Sequence, residues 1–372
     1  MKPKAMNKSD LDTPYVLIDV DKVEKNIFSM QDRAKKSGIK LRPHAKTHKL
    51  PILAKKQIEA GAIGITVAKL GEAEVMVAEG ISNILIAYPI VGTQKIERLF
   101  KLAKQADITV AVDRYETAKM ISNRFNEDPA LSVGIIVEID SGFKRVGILP
   151  GEPTLDLALK ISKLPGLEFR GLMTFAGQSY NAADIEGIKQ VAMHEGSIAV
   201  ETGKMLQKHG LNTEIISVGS TPTSRFVSSV TGVTDVRPGT YIFGDLTQVS
   251  IGVHHLNDCA LTVKVTIVSR PSPDRAVIDA GTKVFTMDGS ESPIGTGRGY
   301  VIGHPNIQVS WFTEEHGMLQ LTSEDQYLTV GDTLEIVPVH CCAVINMFDE
   351  VAAVRDNEVE AIWPVLGRGK VR

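Results

Sequence analysis

The sequence predicts an α/β protein, a (βα)8 TIM-like barrel followed by a mostly antiparallel β domain. Three observations carry this. Between residues 15 and 220, short β-branched runs alternate with longer amphipathic stretches rich in Lys and Glu. The runs are mostly apolar, as strands covered by helices on both faces must be. After about residue 235 the helical periodicity fades, and short strand-like runs follow one another between Gly, Asp and Pro turns.

Eight strand candidates precede that change: YVLIDV (15–20), LRPHA (41–45), IGITVA (63–68), NILIAY (83–88), ITVAVD (108–113), VGIIVEID (133–140), FRGLMTFA (169–176) and EIISVGS (214–220). Helical segments such as DKVEKNIFSMQDRAKKSG and GEAEVMVAEG lie between them. Later come CALTVKVTIVSR, RAVIDAG, IQVSWF, MLQLT, DTLEIVPV and AVINMF, read as strands of the second domain. The boundary is placed at 245, giving a barrel over 12–245 and a β domain over 246–372. A chain of 372 residues exceeds one ordinary core, whereas a barrel fills about 250.

Composition narrows the partners. Hydrophobic residues make up 43% and charged residues 23%, with a net charge of −3, so neither nucleic acid nor an anionic membrane is expected as the main partner. The cysteines, Cys259, Cys341 and Cys342, offer no disulfide framework and suit a reducing compartment. The start, MKPKAMNKSDLDTP, lacks the apolar segment of a secretory leader. A cytoplasmic location is the expectation.

RPHAKTHK (42–49) concentrates cationic groups behind Pro43. If it runs off the second strand, Lys46 stands at the carboxyl end of the barrel, where this fold places its chemistry. A solvated basic loop would carry the same residues. SVGSTPTSR (217–225) follows the eighth candidate, and its Gly219, Ser220 and Thr221 can cradle a phosphate or make an ordinary turn. DVRPGTYIFGD (235–245) offers Gly239 and the hydroxyls of Thr240 and Tyr241 to the same cradle, or is an interdomain turn. In VEIDSGFKRVG (137–147), Arg145 can bond a phenolate oxygen or pair with Glu138 or Asp140. IVPVHCCAVINMF (336–348) sets His340 and Cys342 two apart on a predicted strand, hence on one face. An imidazole beside a thiolate suits zinc, although a structural His and a core Cys read the same way.

RPHAKTHK, EIDSGFKRVG, SVGSTPT, RPGTYIFGD, EEHGML and PVHCC, in this order, resemble the D-serine dehydratase and D-threonine aldolase family of pyridoxal phosphate enzymes, which share the alanine racemase fold. The resemblance runs from about residue 12 to the end. It implies that Lys46 carries the cofactor and that Arg145 faces its ring oxygen. It places Gly219, Ser220, Thr221, Gly239 and Thr240 around the phosphate. It implies that His340 and Cys342 hold a divalent ion, zinc by their donor set, with Mn2+ or Mg2+ as alternatives. Tyr180 is a candidate cofactor contact, and Gln178 and His316 are candidate substrate contacts. By analogy a homodimer is expected.

A lysine is free amine in only about one molecule in 2,500 at pH 7, so a nucleophilic Lys46 needs help. The cations Arg42, Lys49 and protonated His44 are expected to supply it by disfavouring the ammonium form. The implied substrate is a D-3-hydroxy amino acid, with two outcomes: dehydration to a keto acid and ammonia, or retro-aldol cleavage to glycine and an aldehyde. Cys342 resembles the dehydratase branch. GLMTFAGQSY (171–180) departs from the family, with Phe175 and Gln178 where histidines commonly stand, and this tilts the reading toward dehydration. An amino-acid racemase would share Lys46 but needs no metal. A non-catalytic pyridoxal phosphate carrier would resemble the barrel alone.

Overall fold

The computed structural model describes residues 6–292 and 295–372. Residues 1–5, read above for a leader, and 293–294 lie outside it. The chain divides into two compact units. The barrel unit comprises Ser29–Lys46, Pro51–Gly239 and Gly369–Arg372, and the β unit holds the segment ending at Phe28, Thr47–Leu50 and Thr240–Arg368.

β1 (Tyr15–Asp19) corrects the first expectation. It belongs to the β unit, pairing antiparallel with Leu261–Ser272 and parallel with Glu350–Arg355. Val16, Leu17 and Ile18 are all buried, and an apolar run covered on both faces reads alike in a barrel strand and at the centre of a large sheet.

The barrel strands are β2 (Lys40–Leu41), β3 (Ile65–Val67), β4 (Asn83–Ile86), β5 (Asp107–Val112), β6 (Val133–Ile139), β7 (Leu167–Thr174), β8 (Ile215–Val218) and β9 (Asp235–Val236). All pairings are parallel, in the order β2-β9-β8-β7-β6-β5-β4-β3. The ring closes where Ile63 N–H donates to Leu41 O at 2.9 Å and Thr66 N–H to Pro43 O at 2.7 Å. The eighth strand is thus β9, which pattern reading missed because two residues carry no periodicity. Asp235 pairs with Lys40 on one side and Ser217 on the other.

Every residue of β6 is buried, as the continuous run VGIIVEI requires of a strand between helices and barrel interior. Leu85, Ala111, Ile136 and Met173, one from each of β4 to β7, pack as one cluster, and each large aliphatic so buried contributes about 1.5–3 kcal/mol. The register of β6 on β7 shifts between Ile135 and Ile136, opposite Gly171. Gly171 has φ +138, and a Cβ there would overlap Ile215 O on β8, so only glycine fits.

The β unit adds β10 (Leu261–Ser272), β11 (Arg275–Ile278), β12 (Ser290–Ser292), β13 (Gly295–Gly297), β14 (Gly299–Val301), β15 (Gln308–Phe312), β16 (Gly317–Gln320), β17 (Thr333–Pro338), β18 (Glu350–Arg355) and β19 (Glu358–Pro364). The nine-stranded sheet runs β11-β16-β15-β14-β17-β10-β1-β18-β19, and β11 also pairs with β10, closing six of the strands into a ring. Most neighbours are antiparallel, as expected; β1 with β18 is parallel. AVINMF is not a strand: Cys341–Ile345 is a single helical turn, and short apolar runs do not distinguish the two by pattern. Among the described residues no helix is long and apolar enough to cross a membrane.

Candidate active site

In the barrel unit the predicted residues gather at the carboxyl ends of the strands. Lys46 lies in the 3-10 turn Ala45–Thr47 beyond β2, Arg145 follows β6, Gln178 and Tyr180 follow β7, Gly219 to Thr221 follow β8, and Gly239 follows β9. Strand order makes neighbours of residues nearly 200 positions apart. Lys46 Nζ lies 5.8 Å from the centre of the Phe175 ring, and the Arg145 guanidinium carbon 4.7 Å from it. Phe143 meets Phe175 edge-on at 5.6 Å between centroids. Of the alternatives left open for Arg145, its partner is Glu138, at 3.6 Å. Asp140 instead accepts the Gly142 and Lys144 N–H groups at 2.9 and 3.0 Å.

The charges that act here differ from those expected. His44 is held well below its usual range, first by burial and then by Lys46, Arg237 and Arg145, so it is neutral and adds no positive charge. Its Nδ1 accepts the Lys46 N–H at 3.4 Å. Arg42 is buried and donates to Asn83, and Lys49, in the β unit, donates to Gly367 O at 3.4 Å. The strand ends after Leu41, and the turn that follows sends neighbouring cations in different directions.

Gly219 has φ +88, and its N–H goes to Glu195 at 3.1 Å. Ser220 N–H donates to Thr223 Oγ1 at 2.8 Å. The Ser220 hydroxyl is engaged as well, lying 3.1 Å from Thr223 Oγ1 and accepting the Thr223 N–H at 3.4 Å, so the expected phosphate contacts at Gly219 and Ser220 also hold the turn itself. Gln178 Nε2 donates to Ser141 O at 3.0 Å, while its Oε1, like Glu138 Oε2, is buried with no hydrogen-bond partner among the described residues. Burial raises the Glu138 carboxyl above its usual range against the pull of Arg145 and Arg237. An amine, a guanidinium and the hydroxyl residues after β8 supply the donor chemistry that a charged aromatic phosphate such as pyridoxal phosphate requires.

In the β unit, His340 and Cys342 do not lie on a strand, contrary to the expectation from their spacing. β17 ends at Pro338, His340 is the N-cap residue, and Cys342 lies in the first turn of Cys341–Ile345. Cys342 Sγ lies 3.4 Å from Thr47 Oγ1 and 3.8 Å from Thr240 Oγ1. The Cys341 hydrogen bond, then His340 and Thr47, hold the Cys342 thiol well below its usual range against burial. Its thiolate in turn raises the exposed His340 imidazole to about 9. Among the described residues no third His, Cys, Asp or Glu completes a cage, so a divalent ion would keep positions for water and substrate. The donor set fits zinc. Tyr241 is buried in the same unit. His316 is exposed in the turn between β15 and β16.

Sequence reasoning missed three buried groups. Asp245 Oδ2 accepts the Cys341 N–H at 3.1 Å and Oδ1 the Gln248 N–H at 3.0 Å, bracing the His340 turn; burial raises it to about 6. Arg237 donates to Ser217 Oγ and Thr174 O, tying β7 to β8. Glu195, on the long helix Ile185–Lys208, accepts two loop amides. The signal for Glu195 was an acid on the helix face of Ile188, Ala192, Ala199 and Leu206, all buried.

The alanine racemase N-terminal domain family matches residues 18–247 and the putative serine dehydratase domain family residues 260–354. D-threonine aldolase of an Arthrobacter species is 31% identical over 96% of this chain and 93% of its own. The chain belongs to this alanine racemase-type family of pyridoxal phosphate lyases. Within the family, D-threo-3-hydroxyaspartate dehydratase of Delftia sp. (strain HT23) is 32% identical over 96% of this chain and 97% of its own. The crystal structure of D-threonine aldolase from Filomicrobium marinum superposes with a TM-score of 0.91 at 32% identity, covering 99% of this chain and 98% of that one. A Cys-to-Ala form of D-threo-3-hydroxyaspartate dehydratase, described as metal-free, has a TM-score of 0.88 at 31% identity over 96% and 98%.

Proposed function

We propose that this chain is a pyridoxal phosphate and metal-assisted lyase that eliminates water from a D-3-hydroxy amino acid, the D-serine dehydratase type of reaction, giving a keto acid and ammonia. The observation that carries the choice is Phe175, whose ring faces both Lys46 and Arg145. A hydrocarbon ring has no lone pair with which to take a proton from the substrate hydroxyl, the step on which retro-aldol cleavage depends.

Pyridoxal phosphate, when bound, supplies an electron sink for charge released at the substrate Cα. Lys46 holds the cofactor and its Nζ then takes the Cα proton. Arg145, backed by Glu138 at 3.6 Å, holds an anionic ring oxygen. The Phe175 ring, which meets Phe143 edge-on, lies beside the amine and the guanidinium as an apolar wall. Ser220, Thr221, Gly239 and Thr240 hold the phosphate, with Tyr180 and Tyr241 as further contacts. His340 and Cys342 hold a divalent ion, zinc by donor chemistry, which supplies a Lewis acid for the departing hydroxyl. A related dehydratase is described in a metal-free form, which implies that it binds a metal and supports a metal role here.

The second reading, retro-aldol cleavage, is favoured by the likeness to D-threonine aldolases. A product assay separates the two. With D-serine, D-threonine and D-threo-3-hydroxyaspartate as substrates, keto acid and ammonia are expected; glycine as the main product would overturn dehydration.

A further inference from the structure

Glu195 takes no part in the chemistry above, yet it joins two loops that do. It has no exposed surface. Its Oε1 accepts the Ala176 N–H at 3.1 Å and the Gly219 N–H at 3.1 Å, while Oε2 is buried with no hydrogen-bond partner among the described residues. Ala176 is the N-cap residue of Gly177–Asn181, the segment of Gln178 and Tyr180. Gly219 precedes Ser220 and Thr221. We propose that Glu195 is a positioning residue of the cofactor site: one buried carboxyl holds the loops after β7 and β8 in mutual register, and its charge state is tied to occupancy of the phosphate cradle.

The coupling follows from elementary electrostatics. Burial pushes the carboxyl up to about 7, against the pull of Gly219 N–H, Arg237, Thr223 and Ala176 N–H. Arg237 is the charged group facing it, and that guanidinium is shared with Asp235 and Glu138. His194, on the same helix, is exposed. A phosphate dianion beside Gly219 adds like charge, which favours the neutral acid. With a proton on Oε2, Oε1 remains a carbonyl oxygen and still accepts both amides, so the latch survives while the repulsion disappears. Phosphate binding above neutral pH is then accompanied by proton uptake, and affinity falls as Glu195 ionises.

This rests on the reading that the cofactor phosphate lies by Ser220, Thr221 and Gly239, and the test separates the two. The probe is pyridoxine 5′-phosphate, which has no aldehyde and cannot bond Lys46, titrated calorimetrically into the full chain stripped of cofactor. Glu195→Gln keeps an acceptor oxygen but cannot ionise, and Glu195→Leu removes the latch. Between about pH 6 and about pH 8.5 the wild-type affinity is expected to fall roughly tenfold relative to Glu195→Gln, the factor for one unit of coupling. Wild-type heats in buffers of different ionisation enthalpy are expected to reveal proton uptake. Glu195→Leu, if folded by circular dichroism, is expected to bind weakly at both pH values. Parallel profiles for wild type and Glu195→Gln would overturn the Glu195 proposal alone. If wild type binds no pyridoxine phosphate and gains no visible absorbance with pyridoxal phosphate, the cofactor reading fails and the proposal with it.

Discussion

Replacing Glu195 by Gln is expected to change the pH dependence of stability in a calculable way. In the unfolded chain the carboxyl ionises near 4.5, whereas in the fold burial raises it to about 7. Below 4.5 both states hold the proton and the two proteins are matched. Between these values the folded protein keeps a proton that the unfolded chain has released, so the wild type loses stability as pH rises, and the loss levels off above about 7. The difference of about 2.5 units, at about 1.4 kcal/mol each, gives roughly 3 kcal/mol as an order of magnitude. Gln cannot ionise and escapes this loss. His44 has the opposite sign, since a group held below its ordinary value weakens the fold as pH falls, but it is common to both proteins and cancels in the comparison. Urea unfolding of the cofactor-free proteins at about pH 5 and about pH 8 measures the effect. The variant is expected to gain between about 2 and about 3 kcal/mol on wild type between the two, since part of the loss is already present at pH 5, at unchanged urea slope. A difference that stays constant with pH would refute a buried, protonatable Glu195.

Three further outcomes test the proposed site. Lys46→Ala is expected to abolish the visible absorbance that appears when pyridoxal phosphate joins a lysine, and to lower turnover about a thousandfold or more; a retained band would move the attachment elsewhere. His340→Ala is expected to lower bound zinc, measured by elemental analysis, from about one ion per chain to almost none while leaving that band in place. Activity that survives removal of the ion by a chelator would end its Lewis-acid role. Phe175→His is expected to raise glycine formation from D-threonine about tenfold or more, since a positioned base contributes about 100-fold to 10,000-fold. An unchanged ratio of products would separate Phe175 from the choice of reaction.

What was legible follows from how many residues carry each signal. β4, β5 and β6 announce themselves because three to seven consecutive, mostly apolar residues are buried together. β9 does not, because its barrel role depends on partners at Lys40 and Ser217 and not on its own two residues. β1 was visible as a strand but not as a member of its sheet, since burial on both faces is common to both settings. For His340 and Cys342 the donor chemistry was readable, whereas the backbone was not. An alternating strand and the start of a helical turn both bring residues two apart near one another, and Asp245, which selects the turn by accepting the Cys341 N–H, lies 96 positions earlier.

The basic stretch RPHAKTHK shows the deeper reason why linear charge density misleads. Consecutive residues leaving a barrel strand turn away from one another, so Arg42 ends on Asn83 and Lys49 on a backbone carbonyl. The cations that act on His44, beside Lys46, come instead from Arg145 and Arg237, which leave other strands at the same rim. A barrel collects its chemistry by strand order, and strand order is set by apolar residues that have no part in the chemistry. The charge around Lys46 is therefore a property of β6 and β9 at least as much as of the segment that contains it.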